Sequence, residues 1–404
     1  MNATDNDPRG AEKARKKICF LVTEDWYFIS HRLDFARRLV EAGFDVVVGC
    51  RFSGQESRIR EAGIRAVDVP FTRESVSVFK AIDDIRHIRR FLCHEKPDIV
   101  HSVALRPILI GAIAGFGEKY TTVNAITGLG SLFSGGLQGW RFLVIGHIVR
   151  FFLRLIFRSP NTFNVFQNAE DMRSCIDTGI TRTDNTVLIR GAGVDGKSWT
   201  PVPEQDHNPP IILYVGRLLK DKGIHELLQA SQLLARRGCL HHLQLVGGPD
   251  PCNPNSLSES EISAYTATPH IEWLGRRENV LELMSNANII VLPSYREGLP
   301  KVLLEAGLVA RAVVTTDVVG CREIVHHERN GLLAAVRDPE SLSMALERLL
   351  VDPAFRQALA RTHHEVVKKE YSLEHVAGEF IQLYHRILGV SERQVPQADK
   401  RSIS

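Results

Sequence analysis

Short runs rich in valine and isoleucine alternate with amphipathic helical stretches twice along this chain, and that alternation leaves few folds open. In the first half the runs are KICFLV, DVVVGC, RAVDV, DIVHSV, TTVNAIT, TFNVF and TVLIR, with segments such as SHRLDFARRLVEAGF between them. Continuous apolar strands separated by helices predict a parallel sheet covered on both faces. This first unit spans residues 16–195. The proline-rich stretch WTPVPEQDHNPP predicts a linker, taken as 196–210. The alternation then restarts with IILYVG, HLQLVGG, HIEWLG, NIIVLPS, AVVTTD and NGLLAAV, over 211–370. The expected class is α/β, with two Rossmann-like, doubly wound domains facing a central cleft. In such sheets ligands bind outside the carboxyl ends of the strands.

Length agrees with two domains: 404 residues at roughly 100–200 per domain. The charge is nearly balanced, 50 basic against 47 acidic residues, so no nucleic-acid partner is expected. Seven scattered cysteines form no C-x-x-C pair, which predicts reduced thiols in a cytosolic protein. Sixteen histidines include adjacent pairs, but sequence neighbours on a helix do not face one metal, and no H-E-x-x-H occurs. The opening MNATDNDPRGAEKARKK lacks the apolar core of a signal peptide. Residues 1–15 and 391–404 are expected to be disordered tails. Asp5 and Asp7 form a D-x-D in the first tail with no strand behind it, so no metal site is expected there.

The stretch GAGVDGKS, Gly191 to Ser198, fits the phosphate-loop pattern and, in its first six residues, the dinucleotide pattern. Both patterns need a helix to follow. Here Trp199 and Thr200 lead to Pro201 and Pro203 instead. Without a helix there is no row of free amides for phosphate, so the motif is expected to be a turn at the domain junction.

Two later segments carry chemistry. In YVGRLLKDKGIHELL, Arg217 and Lys222 flank the turn between a strand and a helix, a suitable clamp for a diphosphate. In LPSYREGLPKVLLEAG, Glu297 and Glu305 are separated by seven residues, and Gly298 and Pro300 stop one helix from joining them. Pro300 suits a first helical turn. Glu297 is then expected in a loop, Glu305 in the second turn of a helix, and that helix's free amides between them.

Taken with GRLLKDKG, PSYREGLPKVLLEA, VVGCREIVHHERNGLL and the junction GAGVD, the chain resembles glycosyltransferase family 4, which has the GT-B fold. The markers ISHRLDFARRL, NAITGLGSLF and NVFQNAEDM resemble the bacterial branch that builds lipid-linked polysaccharide or glycan repeats. The resemblance implies a retaining hexosyl- or N-acetylhexosaminyltransferase that moves sugar from a nucleotide diphosphate, UDP before GDP, to a polyprenyl-diphosphate saccharide. Arg217 and Lys222 would bind the diphosphate, and Glu305 the ribose diol. Glu297 would meet the sugar hydroxyls, the amides about Gly298 and Leu299 the distal phosphate, and Gly275 and Arg276 the base. His31, Thr127 and Gly128 fall on the acceptor side, and residues 371–390 would form a helix returning to the first domain. No cofactor or metal is implied. The same fold with a soluble small-molecule acceptor, or an inactive assembly scaffold, are the alternatives.

The chain also departs from the family. TEDWYFISHR stands where many relatives carry a glycine pair, AITGLG where many have a His-containing turn, and Ala310 and Ala312 where Gly and Pro are usual. Between Lys119 and Ala169 there are five basic residues and no acidic one. Within this window WRFLVIGHIVRFFLRLIFR places His147, Arg150, Arg154 and Arg158 on one helical stripe. So many charges argue against a membrane span and for a basic amphipathic helix lying in the membrane surface. The expected place is the inner face of the cytoplasmic membrane, held peripherally.

Overall fold

The computed structural model describes residues 15–71, 78–128, 140–197, 199–250, 253 and 255–389. Asp5, Asp7, Gly130, Ser198 and the side chain of His147 lie outside the described residues, as do 390–404.

The first sheet contains β1 (Lys17–Glu24), β2 (Asp45–Arg51), β3 (Arg65–Asp68), β4 (Ile99–Val103), β5 (Thr121–Ile126), β6 (Thr162–Phe166) and β7 (Thr186–Leu188). Their order is β3-β2-β1-β4-β5-β6-β7, with every pairing parallel. The second contains β8 (Ile211–Val215), β9 (His242–Val246), β10 (Ile271–Gly275), β11 (Ile289–Leu292), β12 (Ala312–Thr316) and β13 (Leu332–Ala334). Its order is β10-β9-β8-β11-β12-β13, again all parallel. The order reverses between β1 and β4, and between β8 and β11. Chain leaving those strands diverges to opposite sides and opens a crevice at their carboxyl ends. The central strands are largely apolar and buried because helices cover both faces. All five residues of β4 and all four of β11 are buried.

The last described helix, Leu373–Leu388, follows the second domain but completes the core of the first. Val376, Phe380 and Tyr384 enter a cluster with Phe20, Phe28 and Phe35, and the Phe35 and Phe380 rings stand 4.7 Å apart. Each such fully buried side chain contributes roughly 1.5–3 kcal/mol.

The GAGVDGKS turn meets the chain on this return. Val194 N donates to Tyr371 O and Leu373 N to Val194 O, both at 2.9 Å. Gly193, at φ +77, has no room for a side chain: a Cβ there would lie 2.6 Å from Leu373 Cα. No helix follows. These glycines serve the crossing of two connecting segments.

The proline-rich joint is fastened to the second domain. Arg311, 1 % exposed, donates to the carbonyls of Val202 and Pro203 and also to those of Ser285, Ala287, Val309 and Ala310. The neighbouring Ala310 holds φ +52, a left-handed conformation costly for a residue with a Cβ. The sequence departure at this turn is therefore a strained alanine where glycine would be relaxed.

Candidate active site

β1 runs directly into a helix, Asp25–His31. Buried Asp25 holds this corner by accepting from the amides of Trp26 (2.7 Å), Ser53 (2.7 Å) and Gln55 (3.1 Å). Burial pushes its carboxyl up, but these bonds and the Ser53 hydroxyl outweigh burial and hold it below the usual range. The result projects Glu24, Trp26, Tyr27 and His31 into the crevice.

On the opposite wall, Tyr214 is fully buried and donates to the Arg217 carbonyl at 2.8 Å. This fixes the turn after β8. Lys222 closes a single tight turn, Lys220–Lys222, before Gly223 at φ +71. A Cβ on Gly223 would fall 2.0 Å from the Pro293 carbonyl oxygen, so only glycine brings this turn against the loop after β11. There Lys222 Nζ meets Glu297 Oε1 at 2.6 Å, and the Ser294 hydroxyl donates to the same oxygen at 2.6 Å. Arg217 pairs with Asp250 at 3.0 Å. Both cations predicted to grip a diphosphate are thus held by carboxylates.

Three cavities follow the crevice. One of about 550 Å³ has Glu24, Trp26, Tyr27, His31 and Arg106 from the first domain and Gly216, Arg217 and Lys222 from the second among its lining. The next, about 600 Å³, shares Trp26, Gly216 and Arg217 and continues past Asp250 to Arg276 and Arg277. Gly275 supplies the turn beside it at φ +71, and Arg276 donates to the Pro249 carbonyl at 3.3 Å. The third, about 110 Å³, contains Ser30, His31, Lys301 and Glu305. Glu305 stands in the second turn of the helix Lys301–Leu308 and pairs with Lys301 at 3.1 Å. Pro300 caps this helix in an extended conformation, one residue ahead of the first-turn place its φ suits.

The loop 297–299 touches the first domain. A Cβ on Gly298 would stand 1.8 Å from the Thr127 carbonyl oxygen, and Gly128 approaches Gly298 from the same side. Leu299 lies against Gly191. Asn168 donates to the Gly298 carbonyl at 3.3 Å, and Lys301 reaches the Ser30 carbonyl at 2.8 Å. Thr127 and Gly128 therefore bear on the EGLP loop across the crevice.

His31 stacks on Tyr27 with centroids 4.4 Å apart. Burial, then the Lys301 and Arg32 charges, lowers its pKa to about 4. It is neutral at pH 7 and suited to hydrogen bonding.

Of the arginine stripe, Arg154 and Arg158 are exposed and Arg150 is half-buried. On the helix Trp140–Phe157, Arg154 lies beside Gly179, and Arg158, just after the helix, donates to the Gly179 carbonyl at 3.1 Å. Apolar side chains of the same helix are exposed as well: Ile148, Phe151, Phe152 and Leu155 are each at least half exposed. Among the described residues no helix is long and apolar enough to cross a membrane. No group of three or more His, Cys, Asp or Glu among them could hold a metal ion.

Trp26, Asp250, Arg106 and Ser294 were not picked out from the sequence. They follow the carboxyl ends of β1, β9, β4 and β11 by two to four residues. Reading every strand end for polar and aromatic side chains would have found all four.

Residues 17–158 match the family described as Glycosyl transferase 4-like, and residues 209–352 match Glycosyl transferases group 1. The chain is 25 % identical over 344 residues to the N,N'-diacetylbacillosaminyl-diphospho-undecaprenol alpha-1,3-N-acetylgalactosaminyltransferase of Campylobacter jejuni, covering 82 % of this chain and 88 % of the relative. It is 24 % identical to the capsular polysaccharide biosynthesis glycosyltransferase CapM of Staphylococcus aureus, covering 80 % and 86 %. Anabaena HepE, solved with UDP and glucose, superposes with a TM-score of 0.72 at 16 % identity over 92 % of this chain and all of that one. Two parallel Rossmann-like sheets facing one crevice, with a family match on each, make this chain a GT-B glycosyltransferase of the group 1 and 4-like families, related to bacterial glycosyltransferases of lipid-linked sugar and capsular polysaccharide synthesis.

Proposed function

We propose that this enzyme moves a hexosyl or N-acetylhexosaminyl group from a UDP-sugar to a saccharide carried on a polyprenyl diphosphate, with retention of configuration and without a metal. The observation that carries this reading is the placement of Arg217 and Lys222 on one interdomain cavity, with Glu297 bonded to Lys222. In the donor-free site each cation rests on an acid. An arriving diphosphate offers both a stronger charge-assisted partner. Lys222 then turns to phosphate, and Glu297 is released to the hydroxyls of the transferred sugar. The amides at Gly298 and Leu299, ahead of the Lys301–Leu308 helix, face the distal phosphate. Glu305 takes the ribose diol, and the cavity beside Gly275 and Arg276 takes the base. His31, Thr127 and Gly128 border the acceptor.

As the sugar–phosphate bond breaks, negative charge grows on the leaving oxygen. Arg217 and Lys222 stabilise it, and that oxygen takes the proton of the acceptor hydroxyl on the same face of the sugar. Catalysis is mainly positional and electrostatic. The diphospho-undecaprenol substrate of the Campylobacter jejuni relative supports the lipid-linked acceptor, and the UDP bound in HepE supports the donor. Membrane contact at the cytoplasmic face would fall on the outward apolar side chains Ile148, Phe151, Phe152 and Leu155, bordered by Arg150, Arg154 and Arg158.

A panel of UDP- and GDP-sugars, incubated with enzyme and a bacterial membrane extract, tests this through nucleotide release. Release with a UDP-sugar, unchanged by EDTA and lowered about 10²–10³-fold by Lys222→Ala, is expected. Glu305→Ala should abolish it. Absence of release and of any thermal shift with UDP or GDP would favour an inactive scaffold.

A further inference from the structure

The helix Leu105–Ala114 borders two cavities. Its first turn sends Arg106 into the interdomain cavity that holds Arg217 and Lys222. Leu109, Ala112 and Ile113, with Phe116 just beyond the helix, line a separate groove of about 750 Å³ against the helix Trp140–Phe157. Arg106, Leu109, Ile113 and Phe116 recur at steps of three and four, so one continuous face runs from a cation to bare hydrocarbon. The distance from Arg106 to Ile113 along the axis is about 10 Å.

The opposite wall is Val149, Phe152, Leu155 and Ile156. Phe116 is 84 % exposed, and Ile113, Phe152 and Leu155 are each at least half exposed. Such a contiguous apolar surface needs an occupant. The groove's volume lies within the usual range for a small-ligand site. Its floor is polar and mostly paired internally: Thr122 bonds Thr162 at 2.8 Å and Asn124 donates to Asn164 at 3.1 Å, while the Tyr120 hydroxyl on the same lining is buried without a hydrogen-bond partner. Apart from that hydroxyl the floor asks little of a ligand, and the walls offer mainly apolar contact. The acid at its rim, Glu118, is engaged by Arg89 at 3.7 Å. From Lys119 to Ala169 the chain carries no acidic residue, so the surroundings suit an anionic amphiphile.

We propose that this groove holds the isoprenoid chain of a polyprenyl diphosphate, with Arg106 binding the diphosphate at the mouth of the crevice. The proposal rests on the lipid-linked acceptor inferred above and adds where its tail lies. Arg106 is 35 % exposed and paired at 3.3 Å with Asp84, itself buried. It is thus oriented toward the cavity yet able to accept a phosphate partner. A chain leaving that phosphate meets Leu109, Ile113 and Phe116 in turn, while its saccharide stays between the domains beside His31.

Radiolabelled geranylgeranyl diphosphate is the probe, with geranylgeraniol, inorganic pyrophosphate and anionic phosphatidylglycerol vesicles as comparators. The intact enzyme should bind the probe more tightly than the alcohol or pyrophosphate. Ala112→Trp, which fills the groove, should weaken it by about tenfold or more. Arg106→Gln should weaken the diphosphate and leave the alcohol unchanged. A diazirine at the far end of the probe's chain should label residues 109–116 and 148–156. If Ala112→Trp misfolds, Ile113→Asp makes the same measurement. Wild-type affinity in the groove variants, or loss of vesicle binding with unchanged probe binding, would overturn the proposal, the latter marking a membrane face only. A UDP-induced thermal shift is measured on each protein. Its absence in the wild type would defeat the donor-site reading, whereas its retention in a variant that loses the probe isolates the groove.

Discussion

The Cα of Gly298 lies so close to the Thr127 carbonyl that a Cβ on it would stand 1.8 Å from that oxygen and 2.8 Å from its carbon. The atoms in the way are backbone, and they belong to the other domain. The loop that presents Glu297 is thereby seated against Thr127 and Gly128, and the walls of the two domains meet at a point with no slack.

Gly298→Ala should therefore push the walls apart rather than unfold either one. A displacement of the order of 1 Å costs about 10²-fold in rate where catalysis is positional. Steady-state kinetics should show that fall mainly in kcat, with UDP affinity changed far less. A variant with wild-type kcat would mean that the contact does not set the reacting geometry.

Ala310→Gly should stabilise the protein. The alanine holds φ +52 between the helix Lys301–Leu308 and β12, and an L-residue in this region costs roughly 1–2 kcal/mol. Glycine's greater freedom in the unfolded chain offsets part of that gain. A net gain of about 0.5–1 kcal/mol should appear as a rise of a few degrees in Tm, with activity unchanged.

Arg311→Met should do the reverse. The guanidinium saturates backbone carbonyls of the joint and of two neighbouring connections, all buried or half-buried. Methionine fills much of the volume and donates nothing. Each carbonyl left unpaired costs about 1–3 kcal/mol, so a loss of about 3 kcal/mol or more is expected in urea unfolding.

Acid should destabilise the fold before the carboxylates titrate. His363 is fully buried; its Nδ1 accepts from Asn330 at 3.3 Å and its Nε2–H donates to the Leu303 carbonyl at 2.8 Å. Burial, then the neighbouring His364, lowers its pKa from 6.5 to about 4, against the opposing Leu303 bond. The unfolded chain therefore takes up this proton first. Stability is full above about pH 6.5 and falls as pH drops toward 4. His31 and His101 are lowered in the same direction by burial. Tm measured between pH 7 and pH 4.5 should decline, and His363→Gln should make that decline shallower.

The alternation of apolar runs and helices determined both sheets, because strand and helix periodicity are properties of neighbours along one chain. Carboxyl-end positions of strands were legible for the same reason, and they brought Arg217, Lys222 and Glu297 to one crevice. Pairing across the crevice was not legible. That Trp26 would line the cavity with Arg217 and that Gly298 would bear on Thr127 depend on how two separate domains settle against each other, and that Asp250 would hold Arg217 depends on how the ends of β8 and β9 come together within the second domain. The arginine stripe shows the same limit. A helical wheel gives angles around one axis, but only the loop at Gly179 and the neighbouring helix decide which of those angles face outward. Periodicity is fixed by local geometry, whereas contact between distant segments is fixed by the packing of everything between them.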